Sequence, residues 1–433
     1  MSRDIFSDNF KPTPYWWERT PRPVGDDVGL SPSADVVVIG SGYTGLSAAI
    51  QTAGHGRHTI VVDADHAGWG CSTRNGGQVS TSIKPTYDLL SRKYGSKTAI
   101  EILQEGNRAL DWVESFIAEN SIHCNFRRCG RFHAAHTPAS FNQLKRKVAA
   151  IPAALEANVR MVEPEEQETE IRSPVYHGGA VFPRHASLDP GRYHQGLYQC
   201  AKHRGVEIVS HCRVNAIEKT RNGLDVLTSK GKTVAENVIV ATNGYTGSPT
   251  PWQQHRIIPI GSYVIATEPL DDGLPEQLIA NDRVISDTRK LVVYYRTCPQ
   301  RKRIIFGGRV SLKETNPEIS APKLRELMVQ CFPELESVRI SHSWMGFVGY
   351  TFDEMPHLGK HDGIHYSLGY CGSGISLASY LGMKTGLKVA GSPAGETPFD
   401  KLMFPGRFYY RGNPWFLAPS IFYYRWRDRR NTG

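Results

Sequence analysis

No apolar run in this 433-residue sequence approaches the ~18–20 residues needed to cross a bilayer, and its first eight residues are polar, without the apolar core of a secretory signal. The eight cysteines (71, 124, 129, 200, 212, 298, 331 and 371) are scattered without a CxxC pair. This spacing suggests neither a zinc site nor a disulfide framework, and predicts reduced, mostly packed thiols. None of the sixteen histidines has a partner at metal-ligand spacing, so no metal is expected. There is no internal repeat, no Ser/His/Asp arrangement and no paired-carboxylate signature. At 40% hydrophobic and 21% charged residues, the chain reads as a cytoplasmic globular protein long enough for two domains.

Basic charge is not spread over a domain, as nucleic-acid binding would require, so no nucleic-acid partner is expected. Of the net charge of +9, five units come from the tail, where Arg407, Arg411, Arg425, Arg427, Arg429 and Arg430 face one acid, Asp428. Phe408, Tyr409, Tyr410, Trp415, Phe416, Phe422, Tyr423, Tyr424 and Trp426 are interleaved with them. Two readings stand: the tail packs on the body with its arginines in solvent, or it makes a peripheral contact with anionic lipid.

What the chain does have is Val36-Val37-Val38-Ile39-Gly40-Ser41-Gly42-Tyr43-Thr44-Gly45 running into Leu46-Ser47-Ala48-Ala49-Ile50. The β-branched run makes a buried strand and the glycines turn it into a helix. Gly40 allows the turn, Gly42 lets the backbone approach a pyrophosphate, and Gly45 lets helix and strand pack closely. The helix N-terminus offers N–H groups and the positive end of its dipole to phosphate. A second strand, Thr59-Ile60-Val61-Val62, ends on Asp63, eighteen residues after Gly45, where a carboxylate would accept ribose hydroxyls. An ADP-containing ligand follows.

Three more glycine-marked loops, 70–77, 242–247 and 369–374, point to a longer ligand touched by separate segments. Asp189-Pro190 starts a helix to about Lys202, and turns are expected at Asn222-Gly223 and Lys230-Gly231. The stretch 257–309 is β-rich, with strands near Tyr263–Thr267, Leu291–Arg296 and Arg303–Gly308. Ala99, Ile102, Leu103, Gly106, Leu110, Val113 and Ile117 recur at helical spacing and are core positions. The expected fold class is α/β, α+β in part: a Rossmann-like nucleotide domain (34–90, 180–255 and 340–395) with a discontinuous antiparallel-sheet substrate domain (91–179 and 256–339). An N-terminal arm (1–33) and the basic aromatic tail (396–433) flank them.

The segments Val36–Asp63, Gly70–Gln78, Val238–Gly244, Ile305–Arg309 and Gly369–Gly374 resemble those of the D-amino-acid oxidase-like FAD-dependent oxidoreductases. The gamma-glutamylputrescine oxidoreductase-like branch fits best, through Arg74-Asn75-Gly76-Gly77-Gln78 and the aromatic arm. The resemblance implies FAD, with Gly40, Gly42, Tyr43, Thr44 and Gly45 at the pyrophosphate and Asp63 and Ala64 at the adenosine ribose. It further implies Ser72, Thr73, Arg74, Asn75, Gly76, Gly77 and Gln78 beside the flavin, and Val214 at the adenine. Ala241, Thr242 and Asn243 would add contacts, and Gly372, Ser373, Gly374 and Ile375 would open a helix toward the flavin's pyrimidine edge. The implied reaction is hydride removal beside an amine nitrogen, giving an imine that hydrolyses, with oxygen or another electron acceptor. The stretch Phe347–Thr351 has no cysteine at the position that attaches flavin covalently in sarcosine oxidases, so FAD is expected to be non-covalent. Whether Lys290 stands over the flavin for oxygen activation stays open.

Candidate substrate residues are Arg309 and Arg296, whose guanidiniums suit a carboxylate, and Tyr263, Tyr295 and Trp344 as walls of an amine site. A dehydrogenase delivering electrons to a membrane quinone would give the tail a purpose. A non-catalytic flavin-binding subunit is the reading from another class. An NAD enzyme would leave the 70–77 and 369–374 loops unexplained.

Overall fold

The computed structural model describes residues 5–22, 29–221, 223–309 and 315–430, the side chains of 425–430 excepted. Outside these lie Met1–Asp4, Pro23 of the arm, Asn222 of the expected turn, and the side chains of Arg425, Trp426, Arg427, Asp428, Arg429 and Arg430.

The β-branched strand Ser33–Ile39 lies inside an eight-stranded sheet, parallel to Thr59–Val62 on one side and to Gly231–Val240 on the other. Val37, Val38, Ile60, Val61 and Val62 have no exposed surface, as a strand covered on both faces requires. Helices Tyr43–Gly54, Pro190–His203 and Gly374–Val389 contribute to one core on this sheet. The first and last of these cross so closely that a Cβ on Gly382 would come 2.4 Å from the Thr44 carbonyl oxygen. Asp189 caps Pro190–His203 by accepting from the backbone N–H groups of Gly191 and Arg192.

A nine-stranded, mainly antiparallel sheet stands beside it. Its order is Phe6–Lys11, Ile340–Tyr350, Ile258–Thr267, Ile304–Gly308, Val293–Thr297, Val284–Asp287, Arg131–Ala134, Gly179–Phe182 and Arg160–Val162. Strand alternation sends Phe132, Tyr263, Ile265, Tyr295 and Phe306 into a second core with Leu324 and Met328 of helix Pro317–Cys331.

These contacts redraw the expected domain boundaries. Ile340–Tyr350, expected with the nucleotide domain, pairs with Ile258–Thr267 in the larger sheet. Helix Ser96–Glu119, expected with the substrate domain, buries Ile102, Leu110 and Val113 in the nucleotide-domain core. Its periodicity marked an apolar face without saying which surface would cover it. The arm does more than flank the domains: Phe6–Lys11 is a strand at the larger sheet's edge.

Candidate active site

In the first turn, the N–H of Gly40 donates to the Val62 carbonyl oxygen at 2.9 Å. A Cβ on Gly45 would sit 1.8 Å from the Gly40 carbonyl oxygen, so only glycine allows this strand and helix to meet. Asp63 follows the second strand; its carboxylate accepts from the Ser41 N–H (2.8 Å) and hydroxyl and from the Asp65 N–H (3.1 Å). Burial raises its pKa above the usual carboxylate range, against those hydrogen bonds.

The loop 70–78 is held from behind. Indole Nε1 of Trp16 donates to the Asn75 carbonyl, that of Trp344 to the Arg74 carbonyl (both 2.8 Å), and that of Trp17 to Thr73 Oγ1 at 2.8 Å. Arg74 lies between the rings of Trp17 and Trp69, 4.6 and 4.4 Å from their centres. The Asn75 side chain donates to the carbonyls of Cys71 and Ser72 and accepts from the Gly77 N–H. Arg296 Nη1 donates to the carbonyls of Gly77 (2.7 Å) and Leu188 (2.9 Å), and Gln78 Nε2 to those of Ile285 and Tyr295.

A cleft of about 1280 Å³ opens between the two sheets. That exceeds the ~300–1,000 Å³ of an ordinary small-molecule pocket. Every residue expected at the cofactor lines it except Gly45, Thr73 and Gly77, which sit behind its wall. Neither Tyr43–Gly54 nor Gly374–Val389 has a side-chain cap, and the Ser373 hydroxyl is turned away to the Ser82 carbonyl. Both helices begin beside the cleft; the Tyr43 N–H donates to the Ser72 hydroxyl at 2.9 Å, and the remaining first-turn N–H groups are donors suited to a pyrophosphate and a flavin edge. The residues present fit FAD.

Of the five expected substrate residues, Arg309 alone lines the cleft, with Nη1 donating to the Gly261 carbonyl at 2.7 Å. The other four are corrected by the side their side chains take. Tyr263 and Tyr295 point into the second core, where the Tyr295 hydroxyl donates to that of Tyr176 at 3.0 Å and the Tyr263 hydroxyl accepts from the Thr315 N–H. Arg296 and Trp344 hold the loop 70–78 from behind and are positioning residues.

His133 and Ser286, which the sequence did not single out, complete the site with Tyr294 of the expected Tyr294-Tyr295 pair. His133, Ser286 and Tyr294 stand abreast on neighbouring strands and line the cleft. His133 Nδ1 is 2.9 Å from the Ser286 hydroxyl, and the Tyr294 hydroxyl is 2.9 Å from that of Ser262. Burial, with Arg131 adding to it, pushes His133 down to about 3; burial pushes Tyr294 up to about 12. Both are neutral at pH 7. Period-two alternation was the available signal: Val293-Tyr294-Tyr295-Arg296 admits two registers, and the one that buries Tyr295 exposes Tyr294 to the cleft.

The sequence profile of the family described as "DAO: FAD dependent oxidoreductase" matches residues 35–386. The chain belongs to this family. It is an FAD-dependent oxidoreductase. It is 30% identical to the probable oxidoreductase OrdL of Rhizobium meliloti (strain 1021) over 96% of this chain and 97% of that protein. To the gamma-glutamylputrescine oxidoreductase of Escherichia coli (strain K12) it is 28% identical, over 93% and 95% of the two chains. Among solved structures, glycine oxidase from Geobacillus kaustophilus superposes with a TM-score of 0.70 at 16% identity, over 88% of this chain and 100% of that one. The L-proline dehydrogenase from P. horikoshii does so at 0.69 and 17%, over 86% and 98%. These likenesses match the α/β architecture with its mixed sheets. No helix among the described residues is long and apolar enough to cross a membrane.

Proposed function

We propose that this enzyme oxidises a small primary or secondary amine or an amino acid at the C–H bond beside nitrogen, in the manner of a gamma-glutamylputrescine oxidase, with FAD held non-covalently. When bound, FAD supplies the hydride-accepting centre. The observation that carries the reading is the uncharged row His133, Ser286 and Tyr294 on the same cleft as the two helix N-termini. Such a row orients an uncharged amine through hydrogen bonds and leaves its nitrogen lone pair unprotonated. No strong base is required, because the amine is taken up in its neutral form and the product imine hydrolyses in water. Arg309 is the group proposed to hold the carboxylate of an amino-acid substrate. Anaerobic mixing of the FAD-loaded protein with a panel of amines and amino acids tests this: a substrate bleaches the visible absorbance, and a panel without bleaching refutes it. Acid denaturation and filtration should release the flavin if it is non-covalent.

The electron acceptor is oxygen in this reading. A second reading, transfer to a membrane quinone, is favoured by the tail. Tyr410 is anchored by its hydroxyl to the Ile257 carbonyl, while Phe408 (93%), Trp415 (61%) and Phe422 (66%) are exposed beside Arg407 and Arg411. Oxygen uptake with peroxide release supports the first. Dye reduction without oxygen uptake, together with cosedimentation on anionic vesicles, supports the second.

A further inference from the structure

Three arginines near Arg131 have acids to neutralise them, while Arg296 is satisfied by the Gly77, Leu188 and Thr297 carbonyls. Arg289 pairs with Asp287, Arg283 with Glu170 at 2.6 Å, and Arg127 with Asp282. Arg131 opens the strand Arg131–Ala134, lines the cleft, and pairs with no acid among the described residues. Its guanidinium lies 4.6 Å from the Phe182 ring centre and Nη1 donates to the Ser82 hydroxyl at 3.3 Å, while Nε is shut off from solvent without a partner. A guanidinium withdrawn from water without a counter-ion is unfavourable unless an anion arrives. Its surroundings are built for one. His185, whose Nε2 is 3.3 Å from the Ser80 hydroxyl, and His133 line the same cleft; burial, reinforced by the Arg131 charge, keeps both rings neutral. The pocket thus presents the Arg131 charge among neutral hydroxyl and imidazole groups, with the Lys84 and Lys147 ammoniums also within electrostatic reach of His133, a setting that suits an anion such as a carboxylate.

We propose that Arg131 binds a carboxylate carried by the substrate at the end away from the reacting amine carbon, with Ser80, Ser82 and His185 completing its hydrogen bonds. The substrate class is then an amine whose far end is a carboxylic acid. This rests on the amine-oxidising reading. It is separate from the role given to Arg309, which lies three strands away, about 14 Å across the sheet at the ~4.8 Å strand spacing, and further along the strand direction as well.

The test uses the FAD-loaded protein and matched probes: 4-aminobutyrate, 5-aminovalerate and 6-aminohexanoate, each against the n-alkylamine of the same chain length. In the wild type the best aminocarboxylate should exceed its alkylamine at least tenfold in kcat/KM. In Arg131→Gln that ratio should fall to about one, and Arg131→Lys, which keeps the charge, should restore part of it. An unchanged ratio in Arg131→Gln, or no preference in the wild type, overturns the proposal. If no amine bleaches the flavin, the amine reading has failed and the anion site is decided by calorimetry with glutarate, which has no amine to oxidise. Binding weakened tenfold or more in Arg131→Gln and partly recovered in Arg131→Lys then supports the site. Equal binding in all three proteins, or none in the wild type, refutes it. Melting temperature and flavin content of both variants identify any loss that comes from misfolding.

Discussion

Replacing Arg296 by methionine separates a substrate contact from a support of the cofactor loop. The side chain is 5% exposed and its guanidinium makes three hydrogen bonds, to the carbonyls of Gly77 (2.7 Å), Leu188 (2.9 Å) and Thr297 (2.9 Å). Two of these tie the 70–78 loop and the Asp189 helix cap to the larger sheet. Methionine fills much of the volume but donates nothing, so the Gly77 and Leu188 carbonyls lose charge-assisted bonds worth ~1.5–3 kcal/mol each. Removing a buried guanidinium returns part of that, which leaves a net loss of about 3 kcal/mol. A loss of that size falls on the geometry of the loop, not on substrate. Arg296→Met should therefore lower the midpoint of denaturant unfolding and weaken FAD binding by roughly a hundredfold, the equivalent of about 3 kcal/mol. KM for any good substrate, measured at saturating FAD, should move by less than threefold. Equilibrium dialysis of FAD against the apoprotein, beside steady-state kinetics, reads both. A large rise in KM with undiminished FAD affinity would return Arg296 to the substrate site and refute the reasoning.

Gly45→Ala places a methyl group where the Gly40 carbonyl oxygen stands 1.8 Å away, so the variant should purify colourless or not fold, checked by the flavin-to-protein absorbance ratio. Tyr294→Phe should alter kcat or KM because its hydroxyl faces the cleft, whereas Tyr295→Phe should cost about 1 kcal/mol of stability with little kinetic change; equal kinetic effects would contradict the strand register. His133 and His194 are both pushed down to about 3 by burial, and His194 Nε2 is held 2.8 Å from the Ser41 carbonyl oxygen. A depressed folded pKa means that the unfolded chain takes up protons below ~6.5 that the folded chain refuses. Their stability contribution is complete above pH 6.5 and is lost as pH falls toward 3. The melting temperature should drop from pH 7 to 5 and drop less steeply in His194→Gln; an identical slope would remove His194 from the account.

Much of the cofactor side was legible because its signals are local. A β-branched run, three glycines and an acid at fixed spacing describe one turn, and that turn fixes where Gly40, Gly42 and Asp63 lie relative to one another. The substrate side is non-local. Its wall is made of strands from positions 131–134, 284–287 and 293–297, brought abreast by pairing that no single segment encodes. Tyr294 and Tyr295 are chemically the same at that level; only register tells which one meets the cleft. Arg131 and His133 sit in a four-residue strand whose burial alternates, and nothing in Arg131-Phe132-His133-Ala134 says that its polar face looks onto a ligand. Helix Ser96–Glu119 shows the same limit for domains, since an apolar face is readable from sequence and its partner surface is not.

The loop 70–78 joins these two halves. It is part of the cofactor wall, yet its supports come from the arm (Trp16 and Trp17) and from the larger sheet (Trp344 and Arg296). Trp16 and Trp344 share one small apolar cluster and donate to the adjacent carbonyls of Asn75 and Arg74. Residues that brace one short loop do not act independently, because losing one support lets the loop relax away from the other. Trp16→Phe and Trp344→Phe should each weaken FAD binding through a lost hydrogen bond and a carbonyl left unpaired, about 1–3 kcal/mol. The double variant should lose less than the sum by at least ~0.5 kcal/mol. Strict additivity across this cycle would mean that the two indoles hold separate structures, and that the arm and the sheet do not act together on the loop.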